Sequence, residues 1–329
     1  MIAEAGVNHN GDLELAKQLV ASAARAGADV VKFQTFVTGK SIAAHAPKAE
    51  YQVGTTDRDE SQYEMVRKLE LTRADHETLV EECGRHGIEF LSTAFDDESL
   101  DMLVELGVER VKVPSGEITN LPLLRHAAGL GLPLIVSTGM AGLADIESAL
   151  GAIEAAGTPR HRVTLLHCTS EYPAPVEGTN LHAMATLRAA FGVEVGYSDH
   201  TPGIAVPIAA VALGAVVIEK HLTLDRTLSG PDHQASLEPS ELEEMIGGIR
   251  TVERALGDGI KRPTAGELQN RLVARKSLVA SRSIRAGEAF SPDNVTAKRP
   301  GTGISPMRWD EVMGRPAPRD FVPDELIAL

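Results

Sequence analysis

The chain has 329 residues, of which 43% are apolar, 24% charged and 4% aromatic, so it buries a large core and does not read as a disordered segment. Its net charge of −14 argues against a nucleic-acid backbone or an anionic membrane as main partner, and any anionic ligand would need a concentrated local positive site. No apolar run approaches the roughly 18 residues of a membrane span, and Met1 leads into Ile-Ala-Glu rather than a signal peptide, which predicts a cytoplasmic protein. Two cysteines, Cys83 and Cys168, cannot build a disulfide framework and read as free thiols.

Short runs rich in Val, Ile and Leu recur at Ile2–Gly6, Asp29–Gln34, Ile88–Thr93, Arg110–Pro114, Pro133–Ser137, Val163–Thr169, Glu194–Ser198 and Ala215–His221. Helical periodicity separates them: Leu13–Ala26 stopping at Gly27, then about 72–86, 120–130, 143–156, 180–191 and 203–213, and finally Pro239–Leu256. Strict alternation with continuously apolar strands predicts a (β/α)₈ TIM barrel over residues 1–260, an open doubly wound sheet being the competing topology. Residues 261–275 read as a polar, Pro-containing linker. Residues 276–329, with runs at Ser277–Ala280 and Thr296–Lys298 broken by Gly-containing turns, read as a small β-rich module.

Unusual polar residues collect at the C-terminal ends of the predicted strands, the catalytic face of such barrels. In order they are Glu4 with Asn8 and His9, Lys32 and Gln34, Thr93, Lys112 with Ser115 and Glu117, Ser137, His167 with Thr169 and Tyr172, Ser198 with His200, and Glu219 with His221. Lys32 and Lys112 lie in otherwise apolar strands, where an unpaired charge is costly. Either they form a phosphate cradle with the Ser115, Ser137 and Ser198 hydroxyls, or each pairs with a barrel carboxylate such as Glu4 or Glu219.

His200 and His221 end neighbouring strands, so their imidazoles can meet over one point. They suit a divalent Mn, Fe, Co or Zn with open positions, or else only hydrogen-bond. Glu117 is a candidate general acid or base, or a helix N-terminal charge. Asp232, in Ser-Gly-Pro-Asp-His, either holds sugar hydroxyls or simply belongs to a turn. Arg299, before a rigid Pro-Gly turn, either presents its guanidinium outside the module or is a solvated surface arginine.

Taken together, Ile2-Ala-Glu-Ala-Gly-Val-Asn-His-Asn-Gly11, Val31-Lys-Phe-Gln-Thr35, Val113-Pro-Ser-Gly-Glu117, Ser137-Thr-Gly-Met140, His167-Cys-Thr-Ser-Glu-Tyr-Pro-Ala-Pro175, Gly196-Tyr-Ser-Asp-His-Thr201 and Glu219-Lys-His221 closely resemble the sialic acid synthase family. The tail resembles that family's antifreeze-like SAF domain, with Lys298-Arg-Pro-Gly-Thr-Gly303 as the matching stretch. The resemblance implies an enzyme that condenses phosphoenolpyruvate with an N-acetylated mannosamine aldehyde and water, releasing phosphate by C–O cleavage.

It further implies that Lys32, Gln34, Thr93, Lys112, Ser115, Ser137 and Ser198 hold phosphoenolpyruvate and that His200 and His221 ligate Mn²⁺ or Mg²⁺. Glu4, Tyr172 and Asp232 would contact the acceptor sugar. Glu117 would handle water and protons, with Glu4 and His221 beside it in the catalytic set. Arg299 would reach the barrel of the partner subunit in a domain-swapped homodimer. Ser170 stands where some members carry Asn, so that contact with phosphoenolpyruvate is shifted or lost. Met1 abuts the first strand without the family's usual leader, leaving the barrel floor more open. The segments around Glu171–Pro175, Leu222–Arg226 and Ala235–Pro239 are more similar to bacterial synthases of N-acetylneuraminate or diacetyllegionaminate than to enzymes using phosphorylated sugars. A metal-dependent aldolase or lyase on a keto acid and a non-catalytic sugar-binding protein are the competing readings.

Overall fold

The computed structural model describes residues 1–57 and 59–329. Its eight parallel strands are β1 Ile2–Gly6, β2 Val30–Thr35, β3 Glu89–Ala94, β4 Val111–Val113, β5 Leu134–Ser137, β6 Val163–Cys168, β7 Glu194–Asp199 and β8 Ile218–His221. They pair in chain order, and β8 returns to β1 with Ile2 opposite Glu219 and Glu4 opposite His221. That last pairing closes a barrel and removes the open sheet as an alternative. The eighth strand is shorter than its apolar run predicts, because Ala215 to Val217 lead in from the preceding helix before pairing begins.

Side chains on one face of a strand recur every second residue, and this periodicity builds the barrel interior in two layers. Ile2, Val30, Leu91, Ile135 and Leu166 form a dry lower plug. Two residues further along, the same strand faces present Glu4, Lys32, Thr93, Ser137 and Cys168, so the interior turns from apolar to polar toward the strand ends. Gly196 completes the lower layer because an added Cβ there would lie 2.4 Å from the Val217 carbonyl and 2.7 Å from Leu166. The larger core lies outside the barrel, where strand residues such as Val31, Phe33, Leu165 and Val195 meet the surrounding helices. Helix Leu13–Arg25 starts at Asp12, whose carboxylate accepts from the Glu14 and Leu15 amides, and helix Pro239–Leu256 has the bounds its periodicity predicts.

Several elements lie outside the predicted set. Helix Asp97–Glu105, between β3 and β4, is capped by Asp96, which accepts from the Ser99 amide; its buried stripe is only Leu100 and Leu103 with Ser99, too short for the periodicity to stand out. Between β2 and helix Arg73–His86 lie three short helices, Thr38–Ser41, Glu50–Thr55 and Gln62–Arg67. Both cysteines are free and buried.

Contacts divide the chain into two compact units, Met1–Gly257 and Asp258–Leu329. Within the second, the stretch read as a linker contains helix Ala265–Ala274. Thr264 accepts from the Glu267 amide and Glu267 accepts from the Thr264 amide in return, so a capping box starts this helix just past Pro263. The rest of the unit is a small antiparallel pair, β9 Ser277–Ala280 with β10 Val295–Lys298, around Leu278, Ile284, Phe290, Val312, Phe321 and Ile327.

Candidate active site

A cavity of about 380 Å³ opens at the C-terminal ends of the barrel strands. Its lining includes Glu4, Lys32, Gln34, Thr93, Lys112, Ser115, Ser137, Ser170, Tyr172, Ser198, His200, His221 and Asp232, all singled out in the sequence. Glu117 is not among the lining residues: its carboxylate accepts from Asn120 Nδ2 at 2.6 Å, where Asn120 caps helix Leu121–Gly129. The strand it follows ends at Val113, and the tight turn Ser115–Glu117 directs Ser115 inward and spends Glu117 on the following helix. Asn8 and His9 are likewise structural. Asn8 Nδ2 donates to the Leu222 carbonyl and to Ser236 Oγ, tying the loops after β1 and β8, and His9 Nδ1 accepts from the Gly11 amide.

At the base of the cavity the two lysines share two carboxylates. Lys32 Nζ lies 2.7 Å from Glu4 Oε2 and 3.7 Å from Glu219 Oε1 and donates to Thr93 Oγ1 at 2.8 Å. Lys112 Nζ donates to Ser137 Oγ at 2.7 Å and lies 3.7 Å from Glu219 Oε2. The carboxylate pairing with Glu4 and Glu219 considered for these lysines is therefore present, and Glu219 lies within 3.7 Å of both ammonium groups. Ser198 Oγ donates to Glu219 Oε1 at 3.3 Å and holds it there.

Two buried carboxylates beside two ammoniums do not share charge equally. Burial works to raise the Glu219 carboxyl, but Lys112 and Lys32 outweigh it and hold it below the usual carboxylate range. Burial dominates at Glu4 and, with the Glu219 charge, pushes it up to about 7 despite Lys32. Burial disfavours the Lys32 ammonium, yet Glu219 and Glu4 more than offset this and raise its pKa, whereas burial prevails at Lys112 and lowers it. Near neutral pH the cluster thus keeps a proton available at Glu4. Asp232, expected either at sugar hydroxyls or in a simple turn, is buried in the cavity wall, and burial pushes it up to about 6 against the pull of Lys32.

The wall above this base carries the histidines. His200 and His221 have ring centroids 5.5 Å apart, with Tyr172 tilted by 31° against His200 at 4.1 Å and edge-on to His221 at 5.8 Å. His200 Nδ1 donates to the Thr169 carbonyl at 2.6 Å, which leaves Nε2 with its lone pair. His221 Nδ1 is buried with no hydrogen-bond partner among the described residues. Burial lowers both pKa values, that of His221 well below its ordinary value, so both rings are neutral, as metal ligation requires. A carbonyl-anchored imidazole beside an unpartnered one is a donor set that fits a divalent ion with open positions. Among the described residues no three His, Cys, Asp or Glu side chains come together as a ligand set, so the two imidazoles are the protein donors such an ion would have.

On the far side, Ser115 Oγ accepts from the Gly139 amide at 3.0 Å and lies 3.2 Å from Cys168 Sγ. An added Cβ on Gly139 would fall 2.1 Å from Ser170 Oγ and 2.8 Å from Ser115 Oγ, so this glycine lets two hydroxyls converge on the cavity. The wall formed by Val7, Phe36, Met65, Val66, Leu69 and Phe95 was missed in the sequence, because these residues are scattered over the segments after β1, β2 and β3, none of which shows sustained periodicity around them. Arg299 belongs to the second unit, exposed just past the end of β10.

Comparison with known proteins agrees with this geometry. A model described as the NeuB family matches residues 19–261, and one described as the SAF domain matches residues 275–329. The chain is 54% identical to the N,N'-diacetyllegionaminic acid synthase of Campylobacter jejuni over 99% of its own length and 98% of that protein's. It is 48% identical to the N,N'-diacetyllegionaminic acid synthase of Legionella pneumophila, over 95% and 89% of the two chains. Among solved structures, the N-acetylneuraminic acid synthetase of Leptospira borgpetersenii, in complex with citrate, aligns with a TM-score of 0.71 at 37% identity, covering 82% of this chain and 88% of that one. The matched stretch takes in strands β2 to β8 and the cavity residues they carry, and the chain belongs to the NeuB family, with a SAF domain at its C-terminal end.

Proposed function

We propose that the protein is a phosphoenolpyruvate-dependent synthase that joins C3 of phosphoenolpyruvate to the open-chain aldehyde of a 2,4-diacetamido-2,4,6-trideoxymannose, giving N,N'-diacetyllegionaminate and phosphate. The observation that carries the reading is the pair of shared lysines at the base of a cavity whose wall holds two neutral, converging imidazoles. Identity to two synthases of that name supports the diacetamido acceptor over N-acetylmannosamine.

In this reading Lys32 and Lys112 receive the phosphate and carboxylate of phosphoenolpyruvate. The hydroxyls of Thr93, Ser115, Ser137, Ser170 and Ser198 and the amide of Gln34 complete the cradle, and the incoming anion takes over ammonium contacts now made by Glu4 and Glu219. Tyr172 and Asp232 orient the acceptor. Bound by His200 and His221, a divalent ion, Mn²⁺ or Mg²⁺, supplies Lewis acidity toward the acceptor carbonyl. As C3 attacks the aldehyde carbon, its oxygen needs a proton, and Glu4, with its pKa near 7, is poised to give one and afterwards to accept one from the water that adds at C2. Phosphate then leaves with its bridging oxygen. We further propose a domain-swapped homodimer, in which Arg299 of one subunit meets the acceptor in the other.

Phosphate release from phosphoenolpyruvate tests the reading, with 2,4-diacetamido-2,4,6-trideoxymannose, N-acetylmannosamine and N-acetylmannosamine 6-phosphate as acceptors. Release is expected to depend on sugar, to be fastest with the diacetamido compound, and to stop on chelation and return with Mn²⁺. Sugar-independent release, or full activity after metal stripping, would contradict it.

A further inference from the structure

We infer that an apolar shelf on one side of the cavity, made by Val7, Phe36, Met65, Val66 and Leu69, receives the C6 end of the acceptor and selects a methyl group there over a hydroxymethyl or a phosphate. The inference rests on the synthase reading above and identifies the residues that would set its substrate class.

The shelf comes from the segments after β1 and β2, with Phe95 from the loop after β3 standing edge-on to Phe36 at 6.1 Å and 78°. It faces the same cavity as the lysine cluster. Val7, Phe36, Met65 and Leu69 are buried, and Val66 is half-buried.

Three tethers make this a packed surface. An added Cβ on Gly11, whose φ is +76°, would lie 2.4 Å from the Lys68 carbonyl, so the β1 loop and the end of helix Gln62–Arg67 touch through their backbones. The Thr38 amide donates to the Glu70 carboxylate at 2.7 Å, and the Val37 amide donates to Asp96 Oδ2 at 2.9 Å. The segments after β1, β2 and β3 are thereby locked together beside the cavity.

The charge distribution agrees. Among the described lining residues the ammonium groups are Lys32 and Lys112, both at the strand tips, where one molecule of phosphoenolpyruvate occupies them. None lies on the shelf. A sugar phosphate directed there would bury a dianion against apolar side chains, and a hydroxymethyl would exchange water for the apolar surface of Val7, Phe36, Met65, Val66 and Leu69. A methyl group loses nothing and gains contact. An apolar pocket discriminates against an added hydroxyl by about 10- to 100-fold, so a preference on this scale is expected.

The test compares kcat/KM for 2,4-diacetamido-2,4,6-trideoxymannose and its 6-hydroxy counterpart, 2,4-diacetamido-2,4-dideoxymannose, both with phosphoenolpyruvate. The wild-type ratio is expected to be at least about 10 in favour of the deoxy sugar. Met65→Gln and Leu69→Gln are expected to cut that ratio by about tenfold, and Leu69→Met to retain it. Should the glutamine variants fail to fold, Val66→Thr, nearly isosteric and half-buried, reads the same ratio. A purely structural role would scale both sugars together and leave the ratio unmoved, which would overturn the inference. A wild-type ratio near one would overturn it too while leaving the synthase reading intact, whereas no turnover of either sugar would sink that reading and the inference with it.

Discussion

Glu4 ties the electrostatics of the cavity to a measurable property. Its folded pKa of about 7 lies above the ordinary carboxylate value, so the native state holds this proton more tightly than the unfolded chain does. The stability this contributes is present below the ordinary carboxylate range and is lost as pH rises through about 7, when Glu4 must ionise beside Glu219. Glu4→Gln has no proton to lose. The difference in Tm between variant and wild type is therefore expected to move in the variant's favour from pH 5 to pH 8, and parallel Tm curves would contradict the shifted pKa. At this scale the sequence was informative about position and offered Glu4 and Glu219 as partners of the lysines, but left open whether that pairing forms. Period-two spacing carried Glu4, Lys32, Thr93 and Ser137 inward from their strands, but whether Lys32 and Lys112 meet carboxylates depends on which tips the closed barrel brings within reach. Glu117 shows the converse: its spacing from Lys112 and Ser115 suggested the cavity, while Asn120, three residues on, captures its carboxylate.

The strands and long helices were legible because each buries a stripe over many residues. The segment between β2 and the helix Arg73–His86 was not, because its three helices are four to six residues long and bury isolated side chains such as Thr38 and Met65. Helix Ala265–Ala274 escaped for a different reason: Pro263 and a polar composition read as linker, although Thr264 and Glu267 supply a capping signal. Two glycines, Gly196 in β7 and Gly139 in the loop after β5, separate fold from site. Gly196→Ala places a Cβ against the fixed carbonyl of Val217, and is expected to lower stability by about 1–3 kcal/mol, the usual range for overpacking. Gly139→Ala meets the movable hydroxyls of Ser170 and Ser115, and is expected to raise the KM for phosphoenolpyruvate severalfold with a smaller loss of Tm. Thermal melts and steady-state kinetics on both variants check the contrast, and equal effects on fold and KM at the two sites would contradict it.

For the molecule as a whole, the barrel supplies a cavity with lysines at its base, histidines on one wall and an apolar shelf on another, and the second unit supplies an exposed arginine. If Arg299 serves the acceptor of a partner subunit, Arg299→Ala is expected to raise the acceptor KM by about 10- to 100-fold, the scale of a hydrogen bond to a charged group, and to leave that for phosphoenolpyruvate within about twofold. An unchanged acceptor KM would contradict the proposed exchange of domains. The claim on which all of this depends is that the lysine and histidine groups act on one phosphoenolpyruvate and one sugar together. Phosphoenolpyruvate labelled with ¹⁸O in its bridging oxygen, incubated with enzyme, Mn²⁺ and 2,4-diacetamido-2,4,6-trideoxymannose and followed by ³¹P NMR, tests that claim most directly. Inorganic phosphate is expected only when the sugar is present, and it should carry the label; phosphate that forms without the sugar, or without the label, would overturn that claim.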